Sequence, residues 1–171
     1  MPGSHATPAD RNEEIKLACL RVGSAYYALN IVDVREIIRP VPLVEIPRLP
    51  ASVDGVITLR RAVVPVVDLR RRFGVKRQPE ARERIVICAL QGRIVGLYVD
   101  EVSEVMSVSR EEIQRAPYYM SDSGSDFFPA VCRYRGRLIF LLDLQKILSS
   151  REPVLSVPSP SVARLSQPTE E

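Results

Sequence analysis

Two aspartates stand at matching ends of a repeated string, and paired carboxylates are the first place to look for acid–base chemistry. Residues 56–73 read VITLRRAVVPVVDLRRRF, and residues 131–148 read VCRYRGRLIFLLDLQKIL. Asp68 and Asp143 hold the same place in each copy, 75 positions apart. Acid–base catalysis needs both groups within reach of one substrate, in a tuned environment. Repeat symmetry sets these two on separate units. Each is therefore expected to accept backbone amides where a strand runs into the next helix. The cysteines Cys19, Cys88 and Cys132 are odd in number and widely spaced, which suits neither a disulfide framework nor a metal knuckle. Each lies in an apolar run and reads as a small core residue. A nucleophilic thiol would need a nearby base, and the single histidine, His5, lies in a polar tail. There is no phosphate-cradling Gly-rich loop, no nucleophile elbow and no calcium-type carboxylate loop.

The remaining chemistry is charge. Arg60, Arg61, Arg70, Arg71, Arg72, Lys76 and Arg77 form the densest basic cluster. It can be a solvated face, a protein-binding face or a phosphate-binding one. The aromatics that stack on bases are missing, since Phe73 stands alone, and Glu83 dilutes the patch. The acids Asp33, Glu36, Asp100, Glu101 and Glu104 fall on segments expected to be short helices, where they read as solvated surface. Beside Glu36, however, Val34, Ile37 and Ile38 make a mixed apolar and acidic patch suited to a helical partner. Net charge is only +3 with signs well mixed, so nothing argues for bulk attraction to nucleic acid or membrane.

The elements that must position these groups are mostly strands. The chain has 171 residues, 46% of them hydrophobic and none of them Trp, so Val, Ile and Leu must fill the core. Strands are expected at Ile15–Val22 and Ala25–Ile31 around a Gly23-Ser24 turn. Val34, Ile37 and Ile38 at i, i+3, i+4 suggest a short helix over Val32–Ile38. Pro40, Pro42, Pro47 and Pro50 force an extended connection. Gly55–Leu59 and Ala62–Leu69 read as a hairpin turning at Arg60-Arg61, with Pro65 marking an edge or bulge. Arg70–Phe73 suggests a helical turn stopped by Gly74, and 75–83 is a polar linker that could divide the chain.

The second half repeats the plan, because CALQGRIVGLYVDEVSEVM at 88–106 aligns with CLRVGSAYYALNIVDVREII at 19–38 after one gap. Strands are expected at Arg84–Leu90 and Ile94–Val99, then a helix over Asp100–Met106. Ser109 with Glu112 has capping-box spacing. Residues 117–126 read as a loop, Phe128–Tyr134 and Arg137–Leu142 as a second hairpin, and Gln145–Ser149 as a last helix. The ends, 1–12 and 151–171, are polar or Pro/Ser-containing and are expected to be disordered. Two similar halves of short strands favour paired small barrels. Each half, at roughly 60 residues, would be marginal alone, so the two should share an interface.

The string VDGVITLRRAVVPVVDLRRRFG at 53–74 resembles the signature of the CheW family of chemotaxis coupling proteins. RIVICALQGRIVGLYVDEVSEV at 84–105 and GRLIFLLDLQKILS at 136–149 are similar to later blocks of that family, so the resemblance covers about 15–150. It implies a mainly β domain over 13–150. Two SH3-like five-stranded barrels would pack on each other with short helices, the halves splitting near 75–83 with strand exchange allowed. It implies a non-enzymatic adaptor without cofactor or metal, in the cytoplasm and recruited to membrane-associated receptor arrays. The implied partners are a chemoreceptor's cytoplasmic tip, the regulatory domain of a CheA-type histidine kinase and other CheW-like subunits, with no nucleic acid and no membrane insertion. Matched onto this sequence, the receptor-facing positions are Val34, Glu36, Ile37 and Arg60, with Arg61 in the same turn. The kinase-facing ones are Leu43, Val44 and Gly55. The family's Gly after Leu-Arg is Arg61 here, and its Asn is Thr58. These departures fit a paralogue for a non-flagellar output as well as a chemotaxis coupler.

Overall fold

The computed structural model describes residues 13–49, 53–79, 81–116 and 127–148. The expected disordered ends and the 117–126 loop lie outside these residues. Eleven strands are formed among the described residues: β1 (Glu14–Val22), β2 (Ala25–Asn30), β3 (Val34–Ile38), β4 (Gly55–Leu59), β5 (Ala62–Asp68), β6 (Arg84–Leu90), β7 (Arg93–Val99), β8 (Glu101–Ser109), β9 (Ile113–Arg115), β10 (Ala130–Tyr134) and β11 (Arg137–Leu141). Two short helices, α1 (Leu69–Arg72) and α2 (Leu144–Leu148), follow β5 and β11. The first sheet has five strands in the order β3-β6-β7-β5-β4. The second has six, β8-β1-β2-β11-β10-β9, where five were expected.

The chain passes between sheets at 31–33 and at 100, not at the polar linker 75–83, which joins α1 to β6 within the first unit. Strands β1 and β2 thus belong to the unit completed by β8–β11. This arrangement buries most strands on both faces. Leu20, Val22, Tyr27, Leu29, Val67, Leu69, Val86, Cys88, Val95, Leu97 and Val99 face a core shared by the sheets. The alternate residues Ile57, Val64, Val66, Ile85, Ile87 and Tyr98 fill the first barrel. Leu17, Cys19, Ala28, Met106, Val108, Cys132 and Ile139 fill the second. Strand period 2 therefore feeds two cores from one strand.

Both expected helices that carried the acids are instead strands. Asn30 accepts the Val32 N–H at 3.2 Å and caps one 3-10 turn, Ile31–Asp33; the chain then extends as β3. Val34, Ile37 and Ile38 are β-branched, and a free sheet edge at β6 accepts them. In the same way 101–109 is β8, paired along β1. Pro65 was expected at an edge or bulge, yet β5 lies between β7 and β4. Its opposite residue, Val56, uses its own N–H and C=O on Val44, so that pair asks no N–H of Pro65. Pairing with β7 begins one residue later, at Val66. Glu112 does accept the Ser109 N–H at 2.8 Å, as the capping-box spacing predicts. Phe73 does not stand alone: with Tyr27, Phe128 and Phe140 it makes a ring cluster against the shared core, its centroid 5.1 Å from that of Tyr27.

One buried ionic network clamps the units together. Arg70, on α1, is only 3% exposed. Its Nε and Nη2 each donate to Asp68 at 3.0 Å, and its Nη1 donates to Glu83 at 2.6 Å and Asp100 at 3.1 Å. The guanidinium lies 4.9 Å from the Tyr98 ring centroid. Asp100, fully buried rather than solvated as its expected helix implied, also accepts the Gly23 N–H at 2.6 Å. Through it the arginine of the first unit holds the β1–β2 turn of the second. The Arg77 guanidinium, then Arg70 and Tyr98, hold the Glu83 carboxyl down at about 2.

Arg70→Met would leave Asp100 buried without its cation and Asp68 without its ion-pair partner, while Glu83 keeps Arg77. It is expected to cost about 3–5 kcal/mol in urea denaturation. Glu83 has a lowered folded pKa, so its stabilisation is complete above about 4.5 and is lost as pH falls toward about 2. Glu83→Gln is expected to flatten that acid limb of the melting temperature against pH.

Candidate interaction surfaces

The first surface is the free edge formed by β3. A bulge at Arg35 lets Val34 oppose Cys88 while Glu36 opposes Ile87. Val34 packs against the shared core and is half-buried, whereas Ile37 is 43% exposed. Glu36 faces the β4–β5 turn, where Arg60 Nη2 donates to its Oε1 at 3.0 Å. This ion pair reaches from β3 to the turn that follows β4, the two outer strands of the first sheet. The structure thus joins Glu36 to Arg60, leaves Ile37 as the exposed apolar group and turns Val34 inward. Val32, 69% exposed on the 3-10 turn, is an apolar group the sequence reading missed. Asn30 was its available signal, as a capping residue that sets a tight turn at 31–33.

Arg60 and Arg61 have φ of 46° and 69°, the type I′ pattern. The equivalent residues Arg135 and Gly136 have 49° and 77°. The departure at Arg61 therefore keeps the turn and places an arginine in the left-handed region.

A second surface gathers Leu43, Val44 and Gly55. Val44 and Val56 exchange both backbone hydrogen bonds at 2.9 Å, which lays the proline-rich connection onto β4. A Cβ on Gly55 would stand 2.9 Å from the Leu43 Cβ and 3.0 Å from the Val44 carbonyl oxygen, so only glycine permits this approach. Leu43 packs on the first-barrel core while Val44 stays 60% exposed.

The groups that could do chemistry are occupied structurally. Asp68 Oδ1 accepts the Arg70 N–H at 2.9 Å, and Asp143 Oδ1 accepts the Lys146 N–H at 3.0 Å, as expected of strand-to-helix caps. The three cysteines are buried and free, and burial pushes the Cys88 thiol up to about 12. In the basic cluster Arg60 pairs with Glu36, Arg70 with Asp68, Arg71 with Asp54 and Arg77 with Glu83. No group of three His, Cys, Asp or Glu able to hold a metal occurs among the described residues. None of their helices is long and apolar enough to cross a membrane.

Two small β-barrels around a shared core, displaying edge-strand and loop surfaces, define a scaffold. The CheW-like domain family matches residues 16–152, and the chain belongs to that family. It is 40% identical over 138 residues to the chemotaxis protein CheW of Rhizobium meliloti (strain 1021), covering 80% of this chain and 89% of that one. A probable chemotaxis protein CheW of Rhizobium etli is 35% identical over 150 residues, covering 87% and 97%. The crystal structure of the scaffolding protein TtCheW from Thermoanaerobacter tengcongensis superposes with a TM-score of 0.73 at 28% identity, covering 81% of this chain and 95% of that one. The fold is thus the pair of SH3-like barrels that the sequence resemblance implied.

Arg61→Gly is expected to raise stability by about 1 kcal/mol, since it relieves a left-handed non-glycine residue. The urea midpoint should rise with an unchanged slope.

Proposed function

We propose that this chain is a non-catalytic coupling scaffold of a chemosensory array, in the cytoplasm beneath membrane-embedded receptors. It would join a chemoreceptor's cytoplasmic tip to the regulatory domain of a CheA-type histidine kinase. The observation that carries this reading is the β3 edge, where exposed apolar residues flank the Glu36–Arg60 pair. A helical hairpin tip would bury Ile37 and Val32 there, with Val34 supporting from the shared core. Arg60, Arg61 and Glu36 would set its orientation by charge. Edge apolar groups supply affinity, and rim charges supply register and on-rate.

Leu43, Val44 and Gly55 would face the kinase. Val44 is the exposed contact, and Gly55 acts through the backbone approach that holds Val44 in place. The family function of the relatives supports both assignments, as does the structural occupation of the carboxylates and thiols. The ion pairing within the basic cluster favours a protein partner over a phosphate backbone.

The test is binding of the purified chain to a receptor tip fragment and to the isolated kinase regulatory domain by calorimetry. Ile37→Asp and Arg60→Glu should each weaken receptor binding by about tenfold or more, near 1.4 kcal/mol, and spare kinase binding. Arg60→Glu should fold normally, because the turn is exposed. Gly55→Val should do the reverse and weaken only the kinase. Failure of the unaltered chain to bind either partner would sink the reading.

A further inference from the structure

The chain builds one turn twice with different residues. Arg60-Arg61 after β4 and Arg135-Gly136 after β10 have positive φ at both positions, 46° and 69° against 49° and 77°. Glycine suffices for the second position, as Gly136 shows. An arginine there holds its Cβ in the left-handed region, at a cost of about 1 kcal/mol. No contact among the described residues offsets that cost. Arg61 is exposed and makes no ion pair, side-chain hydrogen bond or ring contact with any of them. Its neighbour differs, because Arg60 Nη2 is already held by Glu36 at 3.0 Å.

The surroundings of Arg61 are cationic as well. Along β3 and its end, half-buried Val34, Glu36 and Ile38 alternate with exposed Arg35, Ile37 and Arg39. Arg35 and Arg39, like Arg61, have no acidic partner among the described residues. Over 32–39 and the turn, four arginines stand against two acids, Asp33 and Glu36, and Glu36 is taken. The Glu36–Arg60 contact brings the turn beside the edge: Ile37 adjoins one member of the pair and Arg61 the other. In water an unpaired guanidinium is well solvated. A partner that covers Ile37 strips water from the cations around it and must then supply carboxylates, since a desolvated charge without a counter-charge is costly.

We propose that Arg61 is a specificity residue of the β3 edge: it takes a carboxylate that the docked helical hairpin presents next to the apolar group covering Ile37. This inference rests on the reading of that edge as the receptor-facing surface. The Glu36–Arg60 pair is neutral as a unit and positions the hairpin for any tip. Arg61 adds the discriminating contact, because its planar fork meets a carboxylate through two N–H donors. A tip with a lysine or arginine at that place is rejected by like charge. Strain at the turn and an unpaired cation on its crest thus have one explanation, a contact made only with the partner.

The probe is a chemoreceptor cytoplasmic tip fragment from the same genome, titrated calorimetrically into the full chain and into Arg61→Gly, Arg61→Asn and Arg61→Lys. Glycine and asparagine both accept the left-handed backbone, so they remove the charge and keep the turn. Each is expected to bind the tip at least about fivefold more weakly, with a shallower dependence of affinity on salt. Lysine should keep part of the affinity. Arg61→Gly should at the same time unfold at higher urea, so that stability rises while binding falls, a combination that a purely structural residue does not produce. Changing the tip's Asp and Glu residues singly to Asn or Gln should find one whose loss weakens the unaltered chain and leaves Arg61→Gly unaffected. Two results would overturn the inference and leave the receptor-facing reading of the edge standing: equal tip affinity for the unaltered chain and Arg61→Gly, or no acid on the tip that couples to Arg61. Absence of tip binding by the unaltered chain would overturn both.

Discussion

The Arg70 guanidinium is the constraint on which the two-barrel arrangement rests. A cation this deeply buried is tolerable only when charge and hydrogen bonds surround it. Here Asp68, Glu83 and Asp100 supply the charge from three different segments, and Tyr98 covers the face. Hydrophobic burial alone would permit the barrels to slide on each other, since Val, Leu and Ile surfaces are directionally indifferent. The carboxylates remove that freedom because each must meet a particular N–H. Asp100 is the member that converts local order into long-range order, since it holds Arg70 on one side and Gly23 on the other.

Fixing the barrels also fixes the surfaces. The β3 edge emerges from the first barrel immediately after the chain leaves the second, so its position follows the inter-barrel geometry. The Val44 strip is set differently, by backbone bonds to Val56 and by the missing side chain at Gly55. One surface thus depends on packing between units and the other on contacts within one unit. A partner touching both would read two independent distances.

Much of this was legible in the residues. The hairpins at Arg60-Arg61 and between Tyr134 and Arg137 follow from alternation on either side of a short turn, and the repeat gave the duplication. The cap roles of Asp68 and Asp143 followed from position alone. The helices assigned to 32–38 and 100–106 failed because i, i+3, i+4 spacing in so short a segment cannot outvote a neighbouring sheet edge. The inward turn of Val34 depends on a one-residue bulge, which leaves no mark in composition. Arg70 and Asp100 looked like surface charges, because only the fold shows that they meet. The grouping of Leu43, Val44 and Gly55 came from resemblance, and its physical reason, a forbidden Cβ, appears only in three dimensions.

The path of the chain has a consequence for synthesis. The first barrel is contiguous, from Val34 to Val99, and sits inside the sequence of the second, whose strands come from 14–30 and 101–141. One unit is therefore nested in the other, like an insertion. As the chain emerges, the β1–β2 hairpin must wait with both edges open for β8 and β11. Non-local pairing of this kind is slow, and open edges invite wrong partners. The inner barrel is complete first and presents Arg70 before its last anchor on the outer barrel has arrived. The outer barrel then closes around a finished neighbour, so the order of assembly is written into the order of the strands.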